Sequence, residues 1–179
     1  VTWYLYRYYG DVRAVAEHYD NLVRWFGTLE GHAKDHIVEY CRYGDWVGLE
    51  DTPGPLISSG VYYWTAKILR EFAEVLSKPE DVQRWDQRMG EIREAFHARF
   101  FDREKGFYGN GSQYSQIWPL YLGIVPEDVR ANVLGYLVRD ILEKRHGHLA
   151  TGILGTKYVF DVLTEAGRAD VAYYVALQE

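Results

Sequence analysis

The sequence predicts an all-α protein of antiparallel helical hairpins, an α/α toroid or bundle. Three observations carry that expectation. Apolar residues recur at three- and four-residue steps along nearly the whole chain, the spacing of one buried helix face. No stretch alternates apolar and polar residues over the length of a strand. Short connections (77–79, 123–126, 167–168) alternate with long ones (41–57, 102–112, 145–150) rich in Gly, Trp, Tyr, His and Asp. In antiparallel helices alternate connections lie at the same end. The long, decorated loops are therefore expected to crowd one end, where function concentrates on loops held by a rigid scaffold.

The first stripe begins after Asp11 with Val12, Val15, Ala16, Tyr19, Leu22, Val23 and Phe26, and ends near Gly31. A second runs Val61, Trp64, Thr65, Ile68, Leu69, Phe72, Val75 and Leu76. It is expected to open after Ser58 and Ser59, good N-cap residues, and to stop before Pro79. Pro79-Glu80-Asp81 starts a third, with proline in the first turn and two carboxylates at the positive end of the dipole. It runs through Trp85, Met89, Ile92, Phe96 and Phe100. A short helix fits 113–122. Pro126-Glu127-Asp128 repeats the start signal ahead of Val129, Val133, Leu137, Ile141 and Leu142. Two more fit 151–165 and 168–177. Residues 1–179 read as one domain of about seven helices, fewer than a closed toroid of helix pairs requires.

Of the 179 residues, 47% are apolar and 26% charged, the composition of a folded globular chain. A net charge of −6 leaves no basic surplus to neutralise phosphates, so no nucleic-acid partner is expected. No apolar run is long enough to cross a bilayer, and no membrane partner is expected. The single cysteine, Cys41, excludes an internal disulfide and a multi-cysteine zinc site. With no leader pattern in the first residues, it favours a cytoplasmic compartment. His32 and His36 have the spacing of helical metal ligands but no third partner and no HExxH form, so no metal and no cofactor are expected. Acyl-transfer, dinucleotide and P-loop signatures do not occur.

Tyr and Trp number 16 and 6 against 7 Phe. Rings with a polar handle suit half-wet surfaces. They predict either helix packing with amphipathic rings or a cleft that stacks a flat polar ligand such as a sugar.

Two loops carry candidate chemistry. In the stretch 43–51, Asp45 beside Trp46 offers a hydroxyl-binding carboxylate and an apolar indole face. Asp45 and Glu50 alternatively form a general acid and base, since glycoside hydrolysis needs two carboxyl groups. A plainer reading makes Glu50 and Asp51 solvated loop charges and Asp45 a turn cap. In the stretch 146–152, His148 is placed to present its imidazole to a ligand, and Thr151 reads either as a ligand contact or as the next helix's N-cap. Gln113, after Ser112 and a Gly-rich turn, falls at the same end. Asn110-Gly111-Ser112 also has the form of a glycosylation acceptor.

The ordered set Tyr9-Gly10-Asp11, Gly44-Asp45-Trp46, Ser112-Gln113, the run from Leu120 to Pro126, the run from His148 to Thr156, and Ala172-Tyr173 resembles the catalytic domain of bacterial α-L-rhamnosidases, glycoside hydrolase family 78. The resemblance covers essentially the whole chain, and Gly44-Asp45-Trp46 with the 148–156 segment is its most specific part. It implies part of an (α/α)6 barrel, a rhamnose-containing glycoside as substrate, and inverting hydrolysis without a metal. By the same resemblance Asp45, Trp46, His148, Thr151 and Gln113 are sugar-pocket residues, and Ala150 stands where the family more often has threonine. The family's general acid lies in a loop before the segment that Val1 begins, and its general base in a Trp-Glu motif after the point where Glu179 ends. Neither motif is present, so no catalytic residue is expected within the chain. An incomplete barrel should expose apolar helix faces, and self-association or a place in a longer polypeptide follows. Two other readings remain open: an α/α-toroid hydrolase or lyase for another sugar, and a non-catalytic carbohydrate-binding or helical interaction domain.

Overall fold

The computed structural model of the chain describes residues 1–178. Its α-helices are α1 (Thr2–Tyr9), α2 (Val12–His32), α3 (Gly54–Val75), α4 (Pro79–Phe100), α5 (Gln113–Leu122), α6 (Glu127–Arg139), α7 (Ile153–Glu165) and α8 (Ala169–Ala176). A π-helical turn, Asp140–Lys144, prolongs α6. Two small antiparallel hairpins extend the ends of α2 and α4: β1 (Ala33–Lys34) pairs with β2 (Ile37–Val38), and β3 (Phe101–Asp102) with β4 (Phe107–Tyr108). The chain is all-α, as its periodicity predicts, with these four short strands as the only additions among the described residues.

The helices form two concentric rows. α3 packs on α5 and α5 on α7, making an inner row, while α4, α6 and α8 each back the inner helix that precedes them, and α2 lies against α3. The inner helices α3, α5 and α7 start at one end. There the three decorated loops meet: Asn110 Nδ2 donates to the Asp51 carbonyl at 2.7 Å, the Thr52 and Ser112 hydroxyls lie 2.9 Å apart, and Leu49 N–H donates to the Ala150 carbonyl at 3.0 Å. The alternation of connection lengths therefore locates that end correctly.

Rings from the inner helices fill the space between them. Trp118 lies 5.8 Å from Trp64 and 5.2 Å from Tyr158, Tyr121 lies 4.2 Å from Tyr158, and Trp3 of α1 lies 5.7 Å from Trp64. Lys157 Nζ donates to the Tyr4 hydroxyl at 2.5 Å and ties α1 to α7. Burial pushes the Tyr121 phenol up to about 12, so it packs as a neutral ring. A second cluster joins outer to inner helices. Phe26 stacks on Tyr62 at 4.8 Å, Trp85 Nε1 donates to the Tyr19 hydroxyl at 2.9 Å, and that hydroxyl donates to Asp81 at 2.9 Å. Burial, the largest cause, raises Tyr19 to about 12. Much of the Tyr and Trp surplus is thus helix packing with amphipathic rings, the first of the two readings; the Tyr19 and Trp85 handles are paired, while the Tyr62 hydroxyl is buried without a partner.

Three local expectations are corrected. α3 opens at Gly54, about one turn ahead of Ser58, because Pro55 pre-sets the first turn and the Pro53 carbonyl accepts from Leu56 and Ile57 N–H. Ser58 and Ser59 are inside the helix and serve it sideways. Ser59 Oγ accepts from Val38 N–H at 3.0 Å, and Ser58 Oγ donates to the Tyr40 carbonyl at 2.7 Å. Thr151 is not the N-cap of α7, which is Gly152. His32 ends α2 while His36 sits in the β1–β2 turn with φ 63°, so the two imidazoles do not share a helix face.

Both ends of the double row are open. Leu5, Tyr8, Tyr9, Val12 and Trp25 are exposed on α1 and α2, and Tyr173, Tyr174 and Leu177 at the α8 end. Beside Trp25, an apolar groove of about 800 Å³ runs between α2 and α3, lined by Leu29, Val38, Tyr40, Ile57 and Val61.

Candidate functional site

The decorated end is built on a clasp between loops 45–50 and 148–155. α7 begins at Gly152, which has no side chain with which to cap its own helix. Asp45 supplies the cap from a distant part of the chain. Its Oδ2 accepts from Gly152 N–H at 2.6 Å, and its Oδ1 accepts from Leu154 and Gly155 N–H at 3.1 and 3.2 Å. A carboxylate at a helix N-terminus satisfies orphan donors and opposes the dipole. The backbone closes on the same point, with Ile153 N–H donating to the Trp46 carbonyl at 2.9 Å. Gly152 is required there by proximity, since a Cβ would meet the Asp45 and Trp46 carbonyl oxygens.

Gln113, at the first position of α5, is 1% exposed. Its Oε1 accepts from Ala150 N–H at 2.8 Å, and its Nε2 donates to Asp140 Oδ2 at 2.9 Å and to the His148 carbonyl at 3.4 Å. One amide thus grips the backbone on both sides of Leu149. The Ala150 carbonyl is held in turn by Leu49 and Glu50 N–H, at 3.0 and 3.3 Å. Glu50 pairs with Arg145 and, at 3.4 Å, with Lys144, and accepts from Gln113 N–H at 3.4 Å. The Asp140 carboxylate beside Lys144 holds that ammonium above its ordinary value.

The residues singled out by sequence therefore fall into two layers. Asp45 and Gln113 are buried, and their polar atoms are engaged by backbone groups and, for Gln113, by the Asp140 carboxylate. Trp46 is exposed at 64% of its surface, with Tyr43 6.2 Å away and itself open, and Arg42 lies 5.1 Å over the Tyr43 ring. His148 is exposed and Thr151 half-buried, its hydroxyl 2.8 Å from that of Thr156. Asp45 and Glu50, the alternative acid/base pair, both have their oxygens engaged by protein donors. Asp140, Lys144 and Arg145 belong to the site's frame and were not legible in sequence, because their partners come from loops far along the chain.

The arrangement is a rim on which aromatic and imidazole groups stand exposed while the backbone beneath is held at Ala150, Gly152, Ile153, Leu154 and Gly155, a design suited to presenting a flat apolar face and polar groups to a small polar ligand. The model of the bacterial alpha-L-rhamnosidase 6 hairpin glycosidase domain matches residues 1–179. An alpha-L-rhamnosidase of Alteromonas sp. (strain LOR) is 28% identical over 191 residues, covering 100% of this chain and 21% of that protein. The structure of alpha-L-rhamnosidase from Dictyoglumus thermophilum is 36% identical with a TM-score of 0.93, over 99% of this chain and 21% of that one. The Streptomyces avermitilis alpha-L-rhamnosidase, in complex with L-rhamnose, is 30% identical with a TM-score of 0.94, over 99% of this chain and 17% of that one. The chain spans 16–21% of the length of the curated relatives it matches. With a matching model over its whole length and the same helical frame, the chain belongs to the bacterial alpha-L-rhamnosidase six-hairpin glycosidase domain family.

Proposed function

We propose that this chain is a central part of an α-L-rhamnosidase barrel, acting on terminal α-L-rhamnosides by inversion, and that its decorated end supplies one wall of the rhamnose pocket. The clasp carries the reading. Two buried side chains, Asp45 and Gln113, lock the backbone under Trp46, His148 and Thr151, so that an indole face, an imidazole and a hydroxyl are pre-organised for a sugar. The rhamnose in the Streptomyces relative's structure supports the choice of sugar. Inverting hydrolysis needs one carboxyl to protonate the leaving oxygen and another to activate water. Both are assigned to polypeptide outside residues 1–179, and the isolated chain is expected to bind without turnover. L-Rhamnose should then change Trp fluorescence saturably while an aryl α-L-rhamnoside is not cleaved. Trp46→Ala should weaken binding by about 1–2 kcal/mol, roughly five- to thirtyfold, and leave the melting temperature unchanged because the ring is open to solvent. Turnover by the isolated chain, abolished by Asp45→Ala, would place the chemistry inside this segment instead.

The open ends define the partner. We infer that in a longer polypeptide further hairpins cover α1, α2 and α8, and that the isolated chain covers them with a second copy, since exposed apolar faces of this extent mark interaction surfaces. Light scattering on the eluting chain should give a dimer or larger species, and Leu5→Glu with Trp25→Glu should shift it toward monomer. A monodisperse monomer at tens of micromolar would contradict this.

A further inference from the structure

We propose that Asp140 is a positioning residue for the sugar site, acting through Gln113 to fix the backbone that presents His148. The inference rests on the reading of the decorated end as a rhamnose pocket. Asp140 opens the π-helical turn at the end of α6, and such single π-turns recur at functional sites. Its side chain is 4% exposed. Oδ1 accepts from Lys144 Nζ at 2.9 Å and Oδ2 from Gln113 Nε2 at 2.9 Å. Lys144 in turn reaches Glu50 at 3.4 Å, so this one buried carboxylate stands where α5, the 41–53 loop and the 145–150 loop join.

The chemistry of the amide gives the direction of the effect. A glutamine side chain has a donor end and an acceptor end of nearly equal size, whereas a carboxylate only accepts. Asp140 therefore holds Gln113 with its nitrogen toward Asp140 and the His148 carbonyl. The amide oxygen is left for Ala150 N–H, at 2.8 Å. Turning the amide over would set oxygen against oxygen at His148 and nitrogen against nitrogen at Ala150. Asp140 and Gln113 together set the peptide planes on either side of Leu149, and these planes set where the His148 imidazole stands. Asp140 itself is buried behind Gln113 and does not reach the rim.

The test uses the intact chain and two readouts: the His148 imidazole C–H resonance in the ligand-free protein, and the affinity for L-rhamnose. Asp140→Asn removes the acceptor-only partner. It is expected to shift or broaden the His148 resonance and to weaken rhamnose binding about tenfold, the cost of a small misplacement at a site. Gln113→Glu sets two carboxylates face to face and is expected to be worse on both readouts. In the double variant Asp140→Asn/Gln113→Glu, the amide introduced at 140 donates to the carboxylate introduced at 113, whose second oxygen still accepts from Ala150 N–H; the long bond to the His148 carbonyl stays lost, so the rescue is partial. This exchange is expected to bring the His148 resonance back toward its native position, which a loss of bulk or general stability would not do. The proposal is overturned if Asp140→Asn leaves the His148 resonance native, or if the double variant is no better than Gln113→Glu. If the resonances follow the expected pattern but the native chain binds no rhamnose, the positioning stands and the rhamnose reading fails.

Discussion

Asp45→Ala is expected to destabilise the chain by about 3 kcal/mol, lowering its melting temperature by roughly 6–12 °C for a domain of this size. The magnitude follows from what the carboxylate holds. An ordinary N-cap side chain satisfies one helix donor, and its removal costs about 1 kcal/mol. Asp45 accepts from three, on Gly152, Leu154 and Gly155, and two of these residues are buried, so solvent replaces the lost acceptor poorly. The loss also frees loop 45–50 from α7, which leaves the Trp46 carbonyl as its main remaining tether there. Asp45→Asn keeps one acceptor oxygen and should lose about half as much. Thermal unfolding followed by circular dichroism makes the measurement, with rhamnose affinity measured in parallel. Asp45→Ala should lose stability and affinity together, whereas Trp46→Ala should lose affinity alone. A melting shift below about 2 °C would remove the clasp from the account and return Asp45 to the sugar.

That division between holding and touching marks the limit of what sequence shows here. Helical periodicity and proline signals placed α4 and α5 at their observed bounds, Pro79–Phe100 and Gln113–Leu122, because caps, prolines and apolar steps are local. The alternation of loop lengths put the three long loops at one end for a similar reason: it depends on chain direction alone. The start of α3 was misread because Ser58 and Ser59 look like caps locally, while their hydroxyls bond across to Val38 and Tyr40. The short helix α1 has no legible stripe, because Trp3 and Tyr6 form too brief a one and its packing comes from Trp64, Phe72 and Glu71 far along the chain. Asp45 and Gln113 stand out in the sequence, but the burial of their side chains does not. A carboxylate next to a tryptophan reads the same whether it faces ligand or a helix end more than a hundred residues away. Asp140 offers no local pattern at all, since its meaning lies in the amide it orients.

Gly60→Ala is expected to destabilise the chain by about 3 kcal/mol, the reverse of the usual effect in a helix interior. Replacing an internal helical glycine by alanine normally gains about 0.5–1 kcal/mol through backbone entropy and helix propensity. Gly60 lies within α3 where that helix meets α5, and a Cβ there would overlap the Trp118 indole nitrogen and stand 2.5 Å from its Cδ1. The indole has nowhere to retreat. It is 2% exposed, donates to the Ile57 carbonyl at 3.2 Å, and has Trp64, Tyr114, Tyr121 and Tyr158 within 6 Å or less on its other sides. Overpacking of a filled core costs about 1–3 kcal/mol, and breaking the indole's hydrogen bond adds roughly 1. Gly90→Ala on α4 is the matched control. Its Cβ would meet open space, so it should raise the melting temperature by a few degrees. Opposite signs from one chemical change would show that the aromatic packing between inner helices, and not helix propensity, decides how closely α3 approaches α5. A Gly60→Ala chain as stable as the native one would mean that this contact yields. The spacing that brings Gln113 at the head of α5 beside the clasp would then rest on the loops alone.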